Sequence, residues 1–286
     1  MSTAPMPAVL VFAGTDPTGG AGLQADILTL ASLGCHPLSV VTAITVQDTV
    51  GVDDFLPMEA DWIADQARSV LEDMPVAAIK IGMIGSVEAV AAIAEVISDY
   101  PDIPVVLDPV LTSGRGDPLA NEELLDALRD LLLPQTTILT PNSLEARRLA
   151  EEADEEESDE ESDEDDGEAA EICGLDECAR RLIDLGCEYV LITGAHEQGA
   201  QVANTLYNTR GIVHRLNWDR LPGSYHGSGC TLASAVAAML ALGHDVSEAV
   251  KEAQEYTYQT LKSAYRPGMG QFIPDRLYWV RGDDDE

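Results

Sequence analysis

The segment 226–231, which reads HGSGCT, carries the residues most suited to chemistry, and it precedes a long Ala-rich apolar stretch. Gly227 and Gly229 permit a tight backbone turn and a close approach by an anion. The apolar stretch predicts a helix over 227–242, whose first turn offers unpaired N–H donors and the positive end of the helix dipole. A phosphate-binding anion hole fits this pattern. A glycine-rich junction with a buried cysteine fits it too, and spacing alone does not separate the two.

Cys230 lies in the first turn of that predicted helix. A helix N-terminus favours the thiolate, so we expect the pKa of Cys230 to be lowered. A thiolate facing a bound alcohol could accept its proton while a phosphoryl group is attacked. The alternative is a small apolar residue that packs the start of the helix.

Asn142 and Glu145 form an NxxE spacing at another predicted helix start. Mg²⁺ in phosphoryl-transfer sites is often held by one or two carboxylates together with phosphate oxygens, and Glu145 suits that role. An ordinary first-turn Glu, favoured by the helix dipole, is an equally good interpretation.

Polar corners recur directly after predicted strands. They are Thr15-Asp16, Gln47-Asp48, Gly82-Met83, Asp108-Pro109 and Thr193-Gly194. Ligands of open α/β sheets bind at the carboxyl ends of the strands, so corners of this kind predict one shared site.

Strands and helices alternate along the chain, which predicts an α/β fold built on a parallel sheet. The expected strands are 9–13, 37–45, 76–81, 105–107, 137–139 and 189–193, with a hairpin over 201–207 and 211–216. The expected helices are 23–33, 59–71, 86–97, 122–133, one that begins beside Glu145, one from 175, 227–242 and 247–264. Residues 47–54 are expected to form a polar loop.

The acidic tract 151–168 contains fourteen Asp or Glu residues and no Lys or Arg. Such a segment repels itself and has little to bury, so we expect a disordered surface insertion within one domain spanning 1–286. The formal net charge of −35 argues against nucleic acid as a partner, because phosphate binding needs clustered Lys and Arg.

Five cysteines without a paired framework predict reduced thiols. Neither a basic leader nor an apolar run of about 18 residues is apparent, so the expected location is cytoplasmic, without a membrane span. The glycine motifs match neither the GxGxxG nor the Walker A spacing.

Seven segments, taken together and in order, resemble the ribokinase-like superfamily, and within it the hydroxymethylpyrimidine/phosphomethylpyrimidine kinases of thiamine biosynthesis. The segments are AGTDPTGGAGLQADILTLASLG (13–34), VVTAITVQDTVGV (40–52), KIGMIGS (80–86), VVLDPVL (105–111), LTPNSLEARRL (139–149), LITGAH (191–196) and HGSGCTLASAVAAMLALG (226–243). The resemblance implies a central, mostly parallel sheet flanked by helices on both faces, and a homodimer.

The resemblance also implies the site. Gln47 would hydrogen-bond the aminopyrimidine, and Ala21, Asp26, Met83 and Val110 would line or support its pocket. Asn142, Thr193, Gly194 and Ser228 would lie on the nucleotide side, with Glu145 and Asp108 toward Mg²⁺. Gly227, Gly229 and Cys230 match the anion hole and catalytic position of the family.

The implied reaction uses ATP and Mg²⁺ to phosphorylate the hydroxymethylpyrimidine, and then its monophosphate, at one site. Cys230 would act as general base in the first transfer. A pyridoxal kinase of the same fold is the nearest alternative, and a non-catalytic regulator is a second. Three features depart from the family pattern: the acidic tract, Arg115 in the loop 111–116, and the C-terminal segment 267–286, to which no role is assigned.

Overall fold

A computed structural model describes residues 6–112, 116, 119–151 and 173–281. The acidic tract predicted to be disordered lies, apart from Glu151, outside the described residues, and so does Arg115.

Within these residues, nine strands form one sheet, in the spatial order β3-β2-β1-β4-β5-β6-β7-β8-β9. The strands are β1 (Ala8–Gly14), β2 (His36–Gln47), β3 (Val52–Pro57), β4 (Val76–Ile81), β5 (Val105–Leu107), β6 (Ile138–Leu139), β7 (Tyr189–Thr193), β8 (Gln201–Asn208) and β9 (Gly211–Asp219). The central pairings from β2 through β7 are parallel, and β3, β8 and β9 join by antiparallel pairing at the edges. The mostly parallel sheet predicted from the sequence is confirmed.

Eight α-helices accompany the sheet in the described part of the chain. They are α1 (Gly22–Ser32), α2 (Ala60–Leu71), α3 (Val87–Ser98), α4 (Glu122–Ala127), α5 (Ser143–Ala150), α6 (Leu175–Asp184), α7 (Ser228–Ala241) and α8 (Val246–Lys262). Each was expected from apolar periodicity, but the helix predicted over 122–133 is α4 followed by a π-helical segment, Leu128–Leu132, and a 3₁₀ turn, Leu133–Gln135.

Helices cover both faces of the sheet, and every residue of the central strand β1 is therefore buried. Leu10 and Phe12 pack into the apolar cluster made with α2 to α6. Val9 and Val11 pack into a second cluster made with α1, α7 and α8. Strands buried on both faces have continuous apolar sequences, as β1 does.

The prediction that residues 47–54 form a polar loop is wrong in part. Val52–Pro57 is strand β3, which pairs antiparallel with β2, Phe55 opposite Thr45. Asp53 and Asp54 are exposed on this edge strand, so its sequence lacks the apolar run of a buried strand. Edge strands often carry charges on exposed positions, which explains why composition alone suggested a loop.

Membrane insertion has no support in the described helices, since none of them is both long and apolar enough to cross a bilayer.

Candidate active site

Asp16 organises the glycine-rich loop that follows β1. Its Oδ2 accepts a hydrogen bond from the Ala21 N–H at 2.6 Å, and its Oδ1 accepts one from the Thr18 N–H at 2.8 Å. His226 Nε2 lies 2.9 Å from Oδ2. Burial would raise the pKa of Asp16, but the hydrogen bonds from His226 and from the two backbone N–H groups outweigh it, and this pKa is lowered. A buried carboxylate therefore ties this loop to the segment before α7.

Gly227 and Gly20 meet so closely that neither tolerates a side chain. Gly227 has φ +80°, and a Cβ there would lie 1.8 Å from the Gly20 carbonyl oxygen. A Cβ on Gly20 would lie 2.3 Å from Cδ2 of His226. The glycines of the two motifs thus pack backbone against backbone, which only glycine allows.

The N-terminus of α7 has no side-chain cap. Gly227 occupies the N-cap position and has no side chain that could accept from the N–H groups of the first turn. The N–H groups of the first helical residues lack intrahelical acceptors by geometry, and they begin at Ser228. A Cβ on Gly229 would lie 3.7 Å from Asp108 Oδ1, which places this first turn beside the end of β5. The first turn of α7, where the sequence predicts an anion hole, therefore lies at the carboxyl edge of the sheet.

The expectation that the pKa of Cys230 is lowered is wrong. Burial raises the pKa of the Cys230 thiol to about 12, and the carboxylates of Asp108 and Asp26 add to the rise. The Lys80 cation and the N–H of Gly22 oppose this rise without overcoming it. Loss of hydration and nearby negative charge exceed the effect of the helix dipole, so the resting group is a thiol.

Asp108, at the end of β5, is buried beside Cys230, whose thiol hydrogen-bonds to it. Burial raises the pKa of Asp108 to about 6. Among the described residues, no group donates a hydrogen bond to Oδ2 of Asp108. A buried carboxylate oxygen without a partner is costly, and it is the arrangement expected where a cation or a donor of a ligand completes the site.

Asn142 and Glu145 form a capping box at the start of α5. The Asn142 side chain accepts from the N–H of Glu145 at 3.0 Å, and the Glu145 carboxylate accepts from the Asn142 N–H at 2.9 Å. Burial, followed by the charge of Asp108, raises the pKa of Glu145 to about 8. Glu145 therefore has the structural role foreseen as the alternative, and it also lies in the electrostatic field of Asp108.

Thr193 and Gly194, which the resemblance assigns to the nucleotide side together with Asn142, follow the end of β7, and Thr193 lies next to Asn142. The Thr193 N–H donates to the Pro141 carbonyl at 2.9 Å, and Thr193 pairs with Asn142 in an isolated parallel bridge. A Cβ on Gly194 would lie 2.4 Å from the Ala203 carbonyl oxygen, so only glycine fits here.

Asp26 is wholly buried and does not reach a ligand surface. Both of its carboxylate oxygens lie 3.0 Å from Lys80 Nζ, and the Ser234 hydroxyl donates to Oδ1 at 2.7 Å. Both ionic side chains have no exposed surface. Asp26 thus supports the site from beneath, by joining α1, β4 and α7.

Gln47, Met83 and Val110 lie at the ends of β2, β4 and β5, each half-buried. Gln47 Nε2 donates to the Thr45 hydroxyl at 2.7 Å, which fixes its amide. The Met83 carbonyl accepts from the Thr42 hydroxyl at 2.5 Å. All three residues lie at the carboxyl edge of the sheet, and their assignment to the pyrimidine pocket stays a prediction of the resemblance.

Four residues that connect segments of the candidate site were not singled out from the sequence: Asp16, Lys80 and Arg276, which are buried, and His226, which is partly buried. Asp16 was named only as part of a polar corner. Lys80 could have been found from the sequence, because it is a lone cation inside the apolar run VAAIKI. No local pattern distinguishes Arg276, because its partners are remote in sequence.

Comparison with known proteins agrees with this geometry. A solved structure of pyridoxal kinase from Staphylococcus aureus, in complex with AMP-PCP and pyridoxal, has a TM-score of 0.81 and 27% identity, over 98% of this chain and 96% of that one. The phosphomethylpyrimidine kinase of Clostridium difficile 630 has a TM-score of 0.71 and 31% identity, over 90% of this chain and 100% of that one. Fold and site together define a small-molecule kinase with the ribokinase-like architecture.

The sequence comparisons are more specific. The family model "Phosphomethylpyrimidine kinase" matches residues 16–275. The hydroxymethylpyrimidine/phosphomethylpyrimidine kinase of Mycobacterium tuberculosis is 40% identical over 266 residues, which cover 92% of this chain and 91% of that protein. This chain belongs to the phosphomethylpyrimidine kinase family.

Proposed function

We propose that this protein transfers the γ-phosphoryl group of ATP to 4-amino-5-hydroxymethyl-2-methylpyrimidine, and then phosphorylates the monophosphate to the diphosphate, in thiamine biosynthesis. The observation that carries this proposal is the uncapped N-terminus of α7, which lies beside the Cys230–Asp108 pair at the carboxyl edge of the sheet. Preorganised N–H groups at such a place stabilise the charge of a transferring phosphoryl group.

The nucleotide and the acceptor occupy opposite sides of that helix terminus in this proposal. Asn142, Thr193, Gly194 and Ser228 face the nucleotide. On the acceptor side, Gln47 recognises the aminopyrimidine, since an amide both donates and accepts. Ala21, Met83 and Val110 line the pyrimidine pocket, and Asp26 supports it through Lys80.

Mg²⁺ fits the carboxylates that lie between these two sides. Within the described residues, one buried oxygen of Asp108 has no hydrogen-bond partner, and Glu145 is close enough for the charge of Asp108 to raise its pKa. Mg²⁺ commonly uses one or two carboxylates with phosphate oxygens, so the lack of a three-residue cluster among the described residues is compatible with it. The ion would neutralise charge on the β- and γ-phosphates. Asp108 and Glu145 would hold it directly or through water.

Proton transfer in the first phosphorylation follows from the state of Cys230. The thiol is protonated and bonded to Asp108, so Sγ can take a proton only if it passes its own proton on. As the hydroxymethyl oxygen bonds to the γ-phosphorus, its proton moves to Sγ and the thiol proton moves to Asp108. The bond from phosphorus to the bridging oxygen of ADP breaks.

The second phosphorylation needs less help from Cys230. The attacking group is a phosphate monoester whose second pKa is about 6, so it is already ionised at neutral pH. Gly227 and Gly229 serve both transfers, because both move the same phosphoryl group past the same N–H groups.

A coupled assay that measures ADP tests the proposal. Three acceptors are supplied separately: the hydroxymethylpyrimidine, its monophosphate and pyridoxal. We expect turnover with the first two. Turnover with neither pyrimidine, in protein shown by thermal melting to be folded, would overturn the proposal.

Pyridoxal phosphorylation is a second candidate function. It is favoured by the TM-score of 0.81 with the S. aureus pyridoxal kinase, which is higher than the 0.71 with the C. difficile pyrimidine kinase. Sequence identity favours the pyrimidine kinase, at 31% against 27% for the pyridoxal kinase. In the same assay, a kcat/KM for pyridoxal above that for the hydroxymethylpyrimidine would make this the main activity.

We also propose a single catalytic domain over 1–286, a cytoplasmic location and a homodimer. An apolar patch at the β2–β3 edge supports the dimer: Ile44 lies opposite Leu56, with Val46 adjacent, and all three are exposed. Sedimentation velocity of the wild type and of Leu56→Asp tests it. We expect a dimer for the wild type and a monomer for the variant, and a monomeric wild type would refute the dimer.

A further inference from the structure

Arg276 joins the two glycine-rich segments of the active site through its side chain. Its Nη2 donates to the Gly20 carbonyl at 2.6 Å, and its Nη1 donates to the Gly19 carbonyl at 3.3 Å. Its Nε donates to the Thr231 hydroxyl at 3.0 Å. The Gly227 carbonyl lies 3.5 Å from Nη2. One guanidinium thus spans the loop after β1 and the first turn of α7, which a planar fork of donors is suited to do.

Thr231 extends this contact to the turn itself. Its hydroxyl donates to the Gly227 carbonyl at 2.7 Å while it accepts from Arg276. Gly227 is the residue with φ +80° that precedes the unpaired N–H groups of α7. The orientation of those N–H groups therefore depends on a chain of bonds that begins at the guanidinium.

The charge of Arg276 is not neutralised by a neighbouring carboxylate. The side chain is buried, and within the described ranges no Asp or Glu oxygen lies within 4.0 Å of it, so every acceptor named above is a neutral oxygen. Burial lowers the pKa of Arg276, yet an arginine side chain remains protonated in proteins. The charge of Asp26 raises the pKa of Arg276 from a distance, but a buried guanidinium that bonds only to neutral oxygens is still costly, and it favours an anion nearby.

The C-terminal segment does not need the Arg276 guanidinium to hold it in place. That segment is held through its backbone: the Tyr256 hydroxyl donates to the Arg276 carbonyl at 3.0 Å, and the Asp275 N–H donates to the Thr260 carbonyl at 3.0 Å. These bonds would remain if the side chain of residue 276 were shortened. The position also lies just beyond the family match, which ends at residue 275.

We infer that Arg276 is a positioning residue for phosphoryl transfer. It holds the Gly227 turn so that the N–H groups of 228–230 face the transferring phosphoryl group, and its charge favours the anion there. This inference rests on the proposed kinase activity, and it assigns a role in that activity to the C-terminal segment.

The test compares Arg276→Lys and Arg276→Gln with the wild type. Because transition-state charge is what the guanidinium and the oriented N–H groups stabilise, we expect kcat to fall about 100-fold in Arg276→Gln and less in Arg276→Lys, which keeps the charge. The KM for ATP should change by less than about threefold, since remote nucleotide contacts are intact. Thr231→Val should reproduce the fall in kcat, and combining it with Arg276→Gln should add little.

Tyr256→Phe is the matched control. It removes a bond to the backbone of residue 276 and leaves the guanidinium untouched, so we expect a lower melting temperature with kcat unchanged. Equal losses of kcat in Tyr256→Phe and Arg276→Gln at similar melting temperatures would overturn the inference. So would normal kcat in folded Arg276→Gln, or, if that variant does not fold, normal kcat in Thr231→Val. Failure of the proposed function is distinguishable, because the wild type itself would then not phosphorylate the pyrimidines.

Discussion

The two faces of the sheet differ in what they bury. The face covered by α2 to α6 packs mainly aliphatic side chains such as Ile81 and Ile93, and the carboxyl group of Glu145 is buried at its edge. The face covered by α1, α7 and α8 also buries ions: Asp26 with Lys80, and Arg276. Buried charges contribute little net stability compared with apolar packing. The comparison indicates that apolar packing stabilises the fold at both faces, whereas the second face also buries charges that connect α1, β4 and α7 beside the candidate site.

The largest effect is expected from a substitution at the closest contact on the second face, between Gly227 and Gly20. Gly227→Ala would place a Cβ 1.8 Å from the Gly20 carbonyl at a φ of +80°. The two glycine segments would be forced apart and the N–H groups of α7 displaced, so we expect kcat for both phosphorylations to fall about 10³-fold. Steady-state kinetics measure it. Gly243→Ala, whose added Cβ meets no atom within 4 Å at the other end of α7, is the control for backbone strain.

The buried ion pair gives the next largest effect. Lys80→Met leaves Asp26 buried without its cation, and we expect the free energy of unfolding to fall by about 3–5 kcal/mol. Adding Asp26→Leu should recover much of that loss while activity stays low, because α1, β4 and α7 are no longer linked at the site. Chemical denaturation measures both variants.

A surface pair is the control for this prediction. Arg68 bonds Asp99 at 2.8 Å at a partly exposed position. Arg68→Gln should lower the free energy of unfolding far less than Lys80→Met, because solvent screens such pairs. Equal losses for Lys80→Met and Arg68→Gln would contradict the distinction between buried and exposed charge.

A substitution on the face covered by α2 to α6 should lower stability while it changes kcat little. Ile93 is fully buried in the cluster of α2 to α6. Ile93→Ala should lower the free energy of unfolding by about 2–4 kcal/mol through lost burial and a cavity. We expect kcat at a temperature well below melting to change less than about twofold. A large fall in kcat with little loss of stability would break the division between the faces.

The smallest expected effect is a pH dependence at Asp16. Its pKa is lowered from about 3.8 in the folded protein, so it contributes stability above that pH and loses it as pH falls through the folded pKa. The difference in unfolding free energy between the wild type and Asp16→Asn should be largest near neutral pH and should narrow below about pH 4. Denaturation at several pH values measures it, and a constant difference would contradict the assignment.

Local pattern was enough to predict much of the molecule. Glycine spacing before an apolar stretch predicted a turn and a helix start at 227–231. The order of strands and helices predicted the parallel sheet. The features that local pattern did not predict depend on contacts between residues that are far apart in the sequence. Burial in the folded protein, with smaller contributions from Asp108 and Asp26, raises the pKa of Cys230, and Arg276 acquires its partners only when α7 and the loop at Gly20 meet. Strand β3 was missed because its exposed acidic residues resemble a loop.

The proton path through Cys230 is tested most directly by single-turnover rates of the two phosphorylations in Cys230→Ala and the wild type. The first transfer must remove an alcohol proton, whereas the second begins from an ionised phosphate. We therefore predict that the substitution slows the first transfer far more than the second. Equal slowing of both transfers, or no slowing of the first, would contradict the account.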